Sequence, residues 1–149
     1  MYASNKLNSL PCACTTIKKL SRILARAYDD ALAGSGINIT QFAVMRCIAR
    51  RTGEPLSRVA EEMEMDRTSL YRAIAPMVRD GWIKMAPGTD ARSRSAKVTR
   101  KGSQLLAEAA VPWNSIQEGL LGSFGKDAWK VLVGELNRLA DSAEAASSK

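Results

Sequence analysis

The side chains whose types suggest a chemical role are basic and hydroxyl groups in the segment from Arg67 to Lys101. This segment holds nine basic and two acidic residues, whereas the other 114 residues hold thirteen of each. The whole net charge of +7 therefore comes from one contiguous segment. Such a concentration is typical of a surface that binds a polyanion. A basic face that is merely solvated is the alternative that charge alone leaves open.

The apolar spacing in this region predicts a helix-turn-helix unit. A short helix is expected to be capped by Ser57, and a turn at 64–65 leads to a second helix capped by Asp66. In such a unit the N-terminal half of the second helix enters the major groove of DNA. Hydroxyl and guanidinium groups suited to phosphates and base edges stand at its start: Arg67, Thr68, Ser69, Tyr71 and Arg72. A partly buried ring that packs on the following hairpin is an equal alternative for Tyr71.

A β-hairpin with a basic tip is predicted after this helix. Gly81 is expected to end the helix, and short strands at 82–85 and 96–99 flank a polar, turn-rich stretch. A basic tip beside a major-groove helix can place an arginine in the adjacent minor groove, where negative potential is concentrated. Arg92 and Arg94 are both candidates, and the sequence does not choose between them.

These motifs resemble the MarR (multiple-antibiotic-resistance regulator) family of winged helix-turn-helix transcription factors. Residues 66–72 are similar to the start of that family's recognition helix, and Asp90-Ala91-Arg92, Val98-Thr99 and Gly102 to its wing signature. The resemblance covers residues 15–139. It implies a mainly α fold of about six helices with a small β-hairpin wing, and a wing in which Asp90 braces Arg92.

Two positions depart from the family pattern. Glu64 stands where many helix-turn-helix units have glycine, which predicts a strained or differently shaped turn. The wing also carries Arg-Ser-Arg at 92–94 in place of two adjacent arginines.

Helices on both sides of this unit carry apolar stripes that it cannot cover. A helix with an apolar seam is expected over 12–33, a third one capped by Thr40 after it, and two more over 102–124 and 126–146. The predicted division is a flexible N-terminus (1–11), an N-terminal dimerisation helix (12–36), the winged helix-turn-helix domain (37–101) and C-terminal dimerisation helices (102–149).

We therefore expect a homodimer built from the N- and C-terminal helices. It would place two recognition helices about one turn of double-stranded DNA apart, on a pseudo-palindromic operator. A monomer whose outer helices pack only on one another is the alternative.

The family resemblance also implies a small, commonly aromatic, anionic effector that binds between the dimer helices and the DNA-binding lobe and releases DNA. Tyr28, Arg46 and Trp113 are the candidate ligands to it, although aromatic residues on apolar stripes also suit the core. Some relatives sense peroxides near the start of the first helix, where Cys12 and Cys14 stand. A helix N-terminus and Lys18 would favour a reactive thiolate there, while small buried residues are the alternative. Cys47 has no assigned role.

Several classes of function find no support in the sequence. The chain has no histidine, no metal-ligand spacing and no catalytic or nucleotide-binding motif, so we expect no enzyme, metal or cofactor. No apolar run reaches the ~18 residues of a membrane span, so a cytoplasmic location is expected. The predicted function is a sequence-specific DNA-binding repressor released by a small ligand. The alternatives are a thiol-based redox-sensing regulator and a winged-helix protein-interaction module that does not bind DNA.

Overall fold

The computed structural model describes residues 12–90 and 92–148, so the flexible N-terminus predicted for 1–11 lies outside the described residues. The predicted winged helix-turn-helix fold, mainly α with a two-stranded hairpin, is confirmed. The elements are α1 (Ala13–Leu32), a short 3-10 turn (Ala33–Ser35), α2 (Ile39–Arg50), α3 (Leu56–Glu62), α4 (Arg67–Arg79), β1 (Ile83–Pro87), β2 (Arg94–Val98), α5 (Arg100–Phe124) and α6 (Lys126–Ser147).

The chain forms two compact units, Met1–Trp113 and Asn114–Lys149, and the boundary falls inside α5. In the first unit α2 packs against α1, α3, α4 and β2. Its side chains Phe42, Met45 and Ile48 are buried, and they belong to the same core as the apolar face of α4. The core of the first unit therefore fixes α4 by burying one side of it, which leaves the opposite side for solvent.

Two helix starts differ from the sequence-based expectation. Asn38, not Thr40, caps α2: its side chain accepts from the N–H of Gln41, and the Gln41 side chain accepts from the N–H of Asn38. This reciprocal pair is a capping box, which the Asn-x-x-Gln spacing encodes. Ser57 lies inside α3, because Pro55 takes the N-cap position and the helix begins one residue later.

The turn of the helix-turn-helix unit has the strain that its sequence predicts. Glu64 has φ 49°, a left-handed conformation that L residues adopt at a cost of about 1–2 kcal/mol. The N–H of Met65 donates to the carbonyl of Ala60, and the N–H of Glu64 donates to that of Glu61. These two bonds form a Schellman motif with glutamate in the position that usually holds glycine. Gly81 occupies the same position after α4, with φ 77°.

A compact joint connects the end of α4, the wing and the start of α5. The Thr99 hydroxyl donates to the carbonyl of Gly81 at 2.6 Å and accepts from the N–H of Gly102 at 3.0 Å. The Lys101 ammonium donates to the carbonyl of Asp80 at 2.9 Å. Gly102 is buried, and a Cβ atom there would lie 2.1 Å from the carbonyl oxygen of Trp82. This close approach explains why the motif needs glycine at position 102.

Replacing Gly102 by alanine should lower the free energy of unfolding by about 2 kcal/mol, because the backbone must move to admit the methyl group. Gly34→Ala is the matched control, since a Cβ there meets nothing within 4 Å. The control should be neutral or stabilising by up to about 1 kcal/mol. Urea unfolding followed by circular dichroism at one protein concentration measures both. Equal midpoints for Gly102→Ala and the wild type would contradict the close approach.

Candidate nucleic-acid interface

The start of α4 is fixed by Asp66, as its sequence predicts. One carboxylate oxygen of Asp66 accepts from the N–H of Ser69 at 2.8 Å, and the other accepts from the Ser69 hydroxyl at 2.7 Å. The bond from the Ser69 side chain, and then that from its backbone, lower the pKa of Asp66. Because Ser69 donates its hydroxyl proton to Asp66, it keeps only acceptor lone pairs for a further partner.

The other candidate residues of α4 lie on its solvent face. Arg67, Thr68 and Arg72 are exposed, and Tyr71 retains 43% of its accessible surface. Leu70 and Ile74 on the opposite face are almost fully buried. The helix therefore offers guanidinium and hydroxyl groups to solvent while its apolar side holds it in the core.

Five arginines of the described chain, one of them at the C-terminal end of α4, are paired with carboxylates. Glu62 pairs with both Arg50 and Arg51, and these bonds, that of Arg51 first, lower the pKa of Glu62 to about 2. Further ion pairs join Arg58 to Glu61, Arg79 to Asp80 and Arg138 to Glu135. By contrast, four arginines of α4 and the wing make no ion pair within residues 12–90 and 92–148. They are Arg67, Arg72, Arg92 and Arg94.

The wing is an antiparallel hairpin whose register runs from Ile83–Val98 to Pro87–Arg94. Its strands extend further toward the tip than the predicted 82–85 and 96–99, because proline is tolerated at the end of a strand. At the tip, one carboxylate oxygen of Asp90 accepts from the N–H groups of Arg92 and Ser93 at 2.9 and 2.8 Å. Asp90 thus holds Arg92 through the main chain, and no ion pair between their side chains occurs in the described part of the chain.

The wing is attached, near the tip end of its strands, to Pro55, the N-cap residue of α3. Ser95 is buried, its hydroxyl donates to the carbonyl of Pro87 at 3.1 Å, and its backbone forms an isolated bridge with Pro55. This attachment encloses a cleft of about 70 Å³ between α3, α4 and the wing. The cleft is lined by Pro55, Leu56, Ser57, Arg67, Leu70, Tyr71, Arg92, Ser93 and Arg94.

The fold brings together side chains that the sequence places in three separate segments. Arg67, Tyr71, Arg92 and Arg94 were predicted as site residues, and all four line this cleft. Ser57 and Ser93 were not predicted as site residues. The only sequence signal for them was a hydroxyl type near basic residues, which becomes informative only once the three segments are known to meet.

Two of the three candidate effector ligands meet in the structure. The guanidinium carbon of Arg46 lies 4.6 Å from the ring centroid of Trp113 and 5.5 Å from that of Phe42. The two ring centroids are 5.7 Å apart. The guanidinium of Arg46 therefore lies close to two neighbouring aromatic rings, an arrangement that stabilises a cation. Tyr28 lies half-buried on α1, and burial raises the pKa of its hydroxyl.

The cysteines divide into two environments. Cys12 and Cys14 are exposed, which excludes the alternative that they are buried core residues, whereas Cys47 is buried. Cys12 is the N-cap of α1, and its sulfur accepts from the hydroxyl and the N–H of Thr15 at 3.4 and 3.5 Å. These bonds lower the pKa of the Cys12 thiol, with a smaller contribution from Lys18. Burial raises the pKa of the Cys47 thiol.

None of the helices formed by the described residues is long and apolar enough to cross a membrane. No three histidine, cysteine, aspartate or glutamate side chains among these residues lie close enough to hold a metal ion.

Comparison with known proteins gives the same fold over nearly the whole chain. The profile of the IclR helix-turn-helix domain matches residues 42–87. YwoH of Bacillus subtilis (strain 168), an uncharacterised HTH-type transcriptional regulator, is 23% identical over 110 residues, covering 72% of this chain and 79% of YwoH. The M. tuberculosis transcriptional regulator MosR, whose crystal structure in complex with DNA is known, is 33% identical to this chain in sequence. The two structures match with a TM-score of 0.81 over 91% of this chain and 98% of MosR. The crystal structure of MarR covers 95% of this chain and 96% of MarR, at 18% identity and a TM-score of 0.70.

Fold and comparisons together define a transcriptional regulator of the winged helix-turn-helix class, whose members are not enzymes. The chain belongs to the MarR family of these regulators.

Proposed function

We propose that the protein is a repressor that binds double-stranded DNA as a homodimer and is released by a small aromatic anion. The observation that carries the DNA-binding part is the unpaired, exposed basic and hydroxyl face of α4 beside the wing. The N-terminal half of α4 enters the major groove with Arg67, Thr68, Ser69, Tyr71 and Arg72, and the wing meets the adjacent minor groove. The solved complex of MosR with DNA supports DNA as the partner. Because its target is the chromosome, the proposal includes a cytoplasmic location.

The dimer is supported by apolar side chains that the single chain leaves in water. Within Lys126–Ser147, all of which is described, α6 buries no residue. Val131 of α6 is 68% exposed and Val111 of α5 is 71% exposed. Ile17, Phe124 and Leu139 are exposed as well. Large apolar side chains left exposed on several helices favour an interaction site, and a second copy of α1, α5 and α6 is the partner that we propose for them.

Release by a ligand is supported by the aromatic environment of Arg46. A planar aromatic carboxylate has two groups that can bind Arg46. Its ring can stack on the guanidinium, and its carboxylate can form an ion pair with it. The ligand ring would replace Trp113 or Phe42 over Arg46, and α2 would shift against α5. Since α2 also packs on α4, the shift would change the separation of the two DNA-binding heads in the dimer.

A second candidate function is redox sensing, which the bonding of Cys12 favours. The Cys12 thiolate would attack one oxygen of hydrogen peroxide, release hydroxide and become a sulfenic acid. The Cys14 thiol would then displace water from that sulfur and form a disulfide. The Cys12 sulfur would lose its role as the N-cap of α1, so that oxidation would disturb the first turn of a helix that we place in the dimer interface.

Replacing Arg72 by alanine should weaken binding to a selected duplex by about 1–3 kcal/mol and relax the preference for one base pair in each half-site. The duplex is selected from random-sequence DNA with the wild-type protein, and affinity is measured by fluorescence anisotropy. Arg79→Ala, which removes one charge from the C-terminal end of the same helix, should leave the base preference unchanged. Equal loss on all sequences would make Arg72 a phosphate contact instead. A wild-type protein that selects no duplex would favour the protein-interaction module.

Benzoate at millimolar concentration should quench Trp113 fluorescence and release the selected duplex from the wild-type protein. The chain has three tryptophans, so a variant that keeps Trp113 and replaces the other two by phenylalanine isolates the signal. Arg46→Ala should bind the duplex within about threefold of the wild type, because Arg46 lies outside the proposed DNA face and most surface changes alter stability little, but should lose the response to benzoate. Release that persists in Arg46→Ala would contradict this ligand site.

Cys12 should react with iodoacetamide at pH 6.5 faster than Cys14, because its lowered pKa leaves more thiolate at mildly acidic pH. Mass spectrometry of the single variants Cys12→Ser and Cys14→Ser measures the two rates separately. The advantage of Cys12 should shrink in Thr15→Val, which removes the hydroxyl bond to sulfur. Equal rates for the two cysteines would argue against redox sensing at this helix start.

A further inference from the structure

The cleft between α3, α4 and the wing has the chemical character of a site for one anionic group. Arg67, Arg92 and Arg94 reach it from two elements, and none of them makes an ion pair within the described part of the chain. Hydroxyl groups of Ser57 and Tyr71 add donors, while the Ser93 hydroxyl donates to the carbonyl of Asp90, and no acidic side chain is found among the described residues that line the cleft. Unneutralised guanidinium groups around a concave surface attract an anion with several acceptor oxygens.

The size of the cleft limits what it can hold. Its volume of about 70 Å³ is several-fold below the roughly 300–1,000 Å³ of pockets that enclose small organic ligands. An aromatic effector therefore does not fit. A single tetrahedral oxyanion does, and the planar fork of arginine matches the oxygen spacing of a phosphate with two parallel hydrogen bonds.

The walls of the cleft are held in place before any ligand binds. Arg67 is the first residue of α4, directly after the Asp66 cap. Arg94 pairs with Pro87 in the strand ladder, and its neighbour Ser95 is buried and bridged to Pro55. Arg92, by contrast, stands in the turn at the wing tip, where its main-chain N–H bonds to Asp90. Arg94 thus has the fixed backbone that a rigid anion site needs, while Arg92 has the exposed tip position that groove insertion needs.

We propose that Arg67, Arg94 and Ser57 hold one phosphate group in this cleft, and that it is a backbone phosphodiester of the duplex that α4 reads. This assignment rests on the proposed DNA-binding function and deepens it. In this arrangement Arg94 contacts the sugar–phosphate backbone, and Arg92 enters the minor groove. It also adds Ser57, the second residue of α3, as a hydroxyl donor to the same phosphate. The DNA source is favoured over a free anion because the cleft opens beside Tyr71 and Arg67 on the exposed face of α4.

The test identifies which side chain contacts which phosphate of the duplex. The duplex selected with the wild-type protein is synthesised as a series, each member with one neutral methylphosphonate, and dissociation constants are measured by fluorescence anisotropy. The wild type should lose about tenfold or more in affinity at one phosphate per half-site, as expected for a charge-assisted bond. Ser57→Ala and Arg94→Gln should each reduce that loss to about twofold or less, since the partner of that phosphate is already gone.

Arg79→Gln provides the matched control, because it removes one positive charge from α4 outside the cleft and should keep the full loss at that position. Arg94→Gln should also reduce the slope of log affinity against log salt by about 0.9. If the loss of affinity depends on Ser57 or Arg94 at none of the methylphosphonate positions, the inference is overturned, while the proposed function stays intact. A selection that yields no duplex would overturn the proposed function itself.

Inorganic phosphate, titrated into the protein alone at constant ionic strength and followed by NMR, separates the two possible sources of the anion. The account expects only weak binding that does not saturate below tens of millimolar. Saturation at low millimolar concentration, with shifts at Arg67, Arg94 and Ser57 and no coupled position on the duplex, would assign the cleft to a free anion and overturn the DNA source.

Discussion

The contact between Gly102 and the carbonyl oxygen of Trp82 sets the geometry on which the proposed DNA-binding face depends. At this joint α4 ends, the wing begins and α5 begins, and any side chain beyond hydrogen would separate them. The Thr99 hydroxyl bonds to both sides of the joint, to the carbonyl of Gly81 and to the N–H of Gly102. Because α4 and the wing are locked at one end, their basic side chains keep a fixed separation, which a helix and a hairpin must have to enter neighbouring grooves together.

Part of the positive charge outside this face is paired with carboxylates. Glu62 holds Arg50 and Arg51, and short-range pairs hold Arg58 and Arg79. Exposed pairs of this kind add little stability, so their main effect here is to reduce the free positive charge outside the interface. Arg67 and Arg72 of α4 and Arg92 and Arg94 of the wing are left without carboxylate partners in the described structure, and their positive field is therefore available to a polyanion.

Local signals in the sequence were sufficient to predict the helix-turn-helix unit. The Asp66 cap follows from the residue type and its spacing to the apolar face, and the strain at Glu64 follows from the absence of the usual glycine. The same reasoning placed the caps at Ser57 and Thr40 wrongly: the N-cap residues lie two positions earlier, at Pro55 and at Asn38, which forms a capping box with Gln41.

Features made by distant segments could not be predicted in this way. The cleft combines α3, α4 and the wing, and it exists because the buried Ser95 attaches the wing to Pro55. Arg46 of α2 also meets Trp113 of α5, a contact between two helices that no spacing rule within one helix indicated. Helix periodicity identifies which residues are apolar, but it does not show which side chains of different helices will touch.

The central claim is that two copies of the protein present two such faces to one duplex. Hydroxyl-radical footprinting of the complex with its selected duplex, combined with sedimentation equilibrium of the same sample, tests this most directly. The account predicts two chains per duplex and two protected sites whose centres lie about one helical turn, ten to eleven base pairs, apart. One chain per duplex with a single protected site would contradict it.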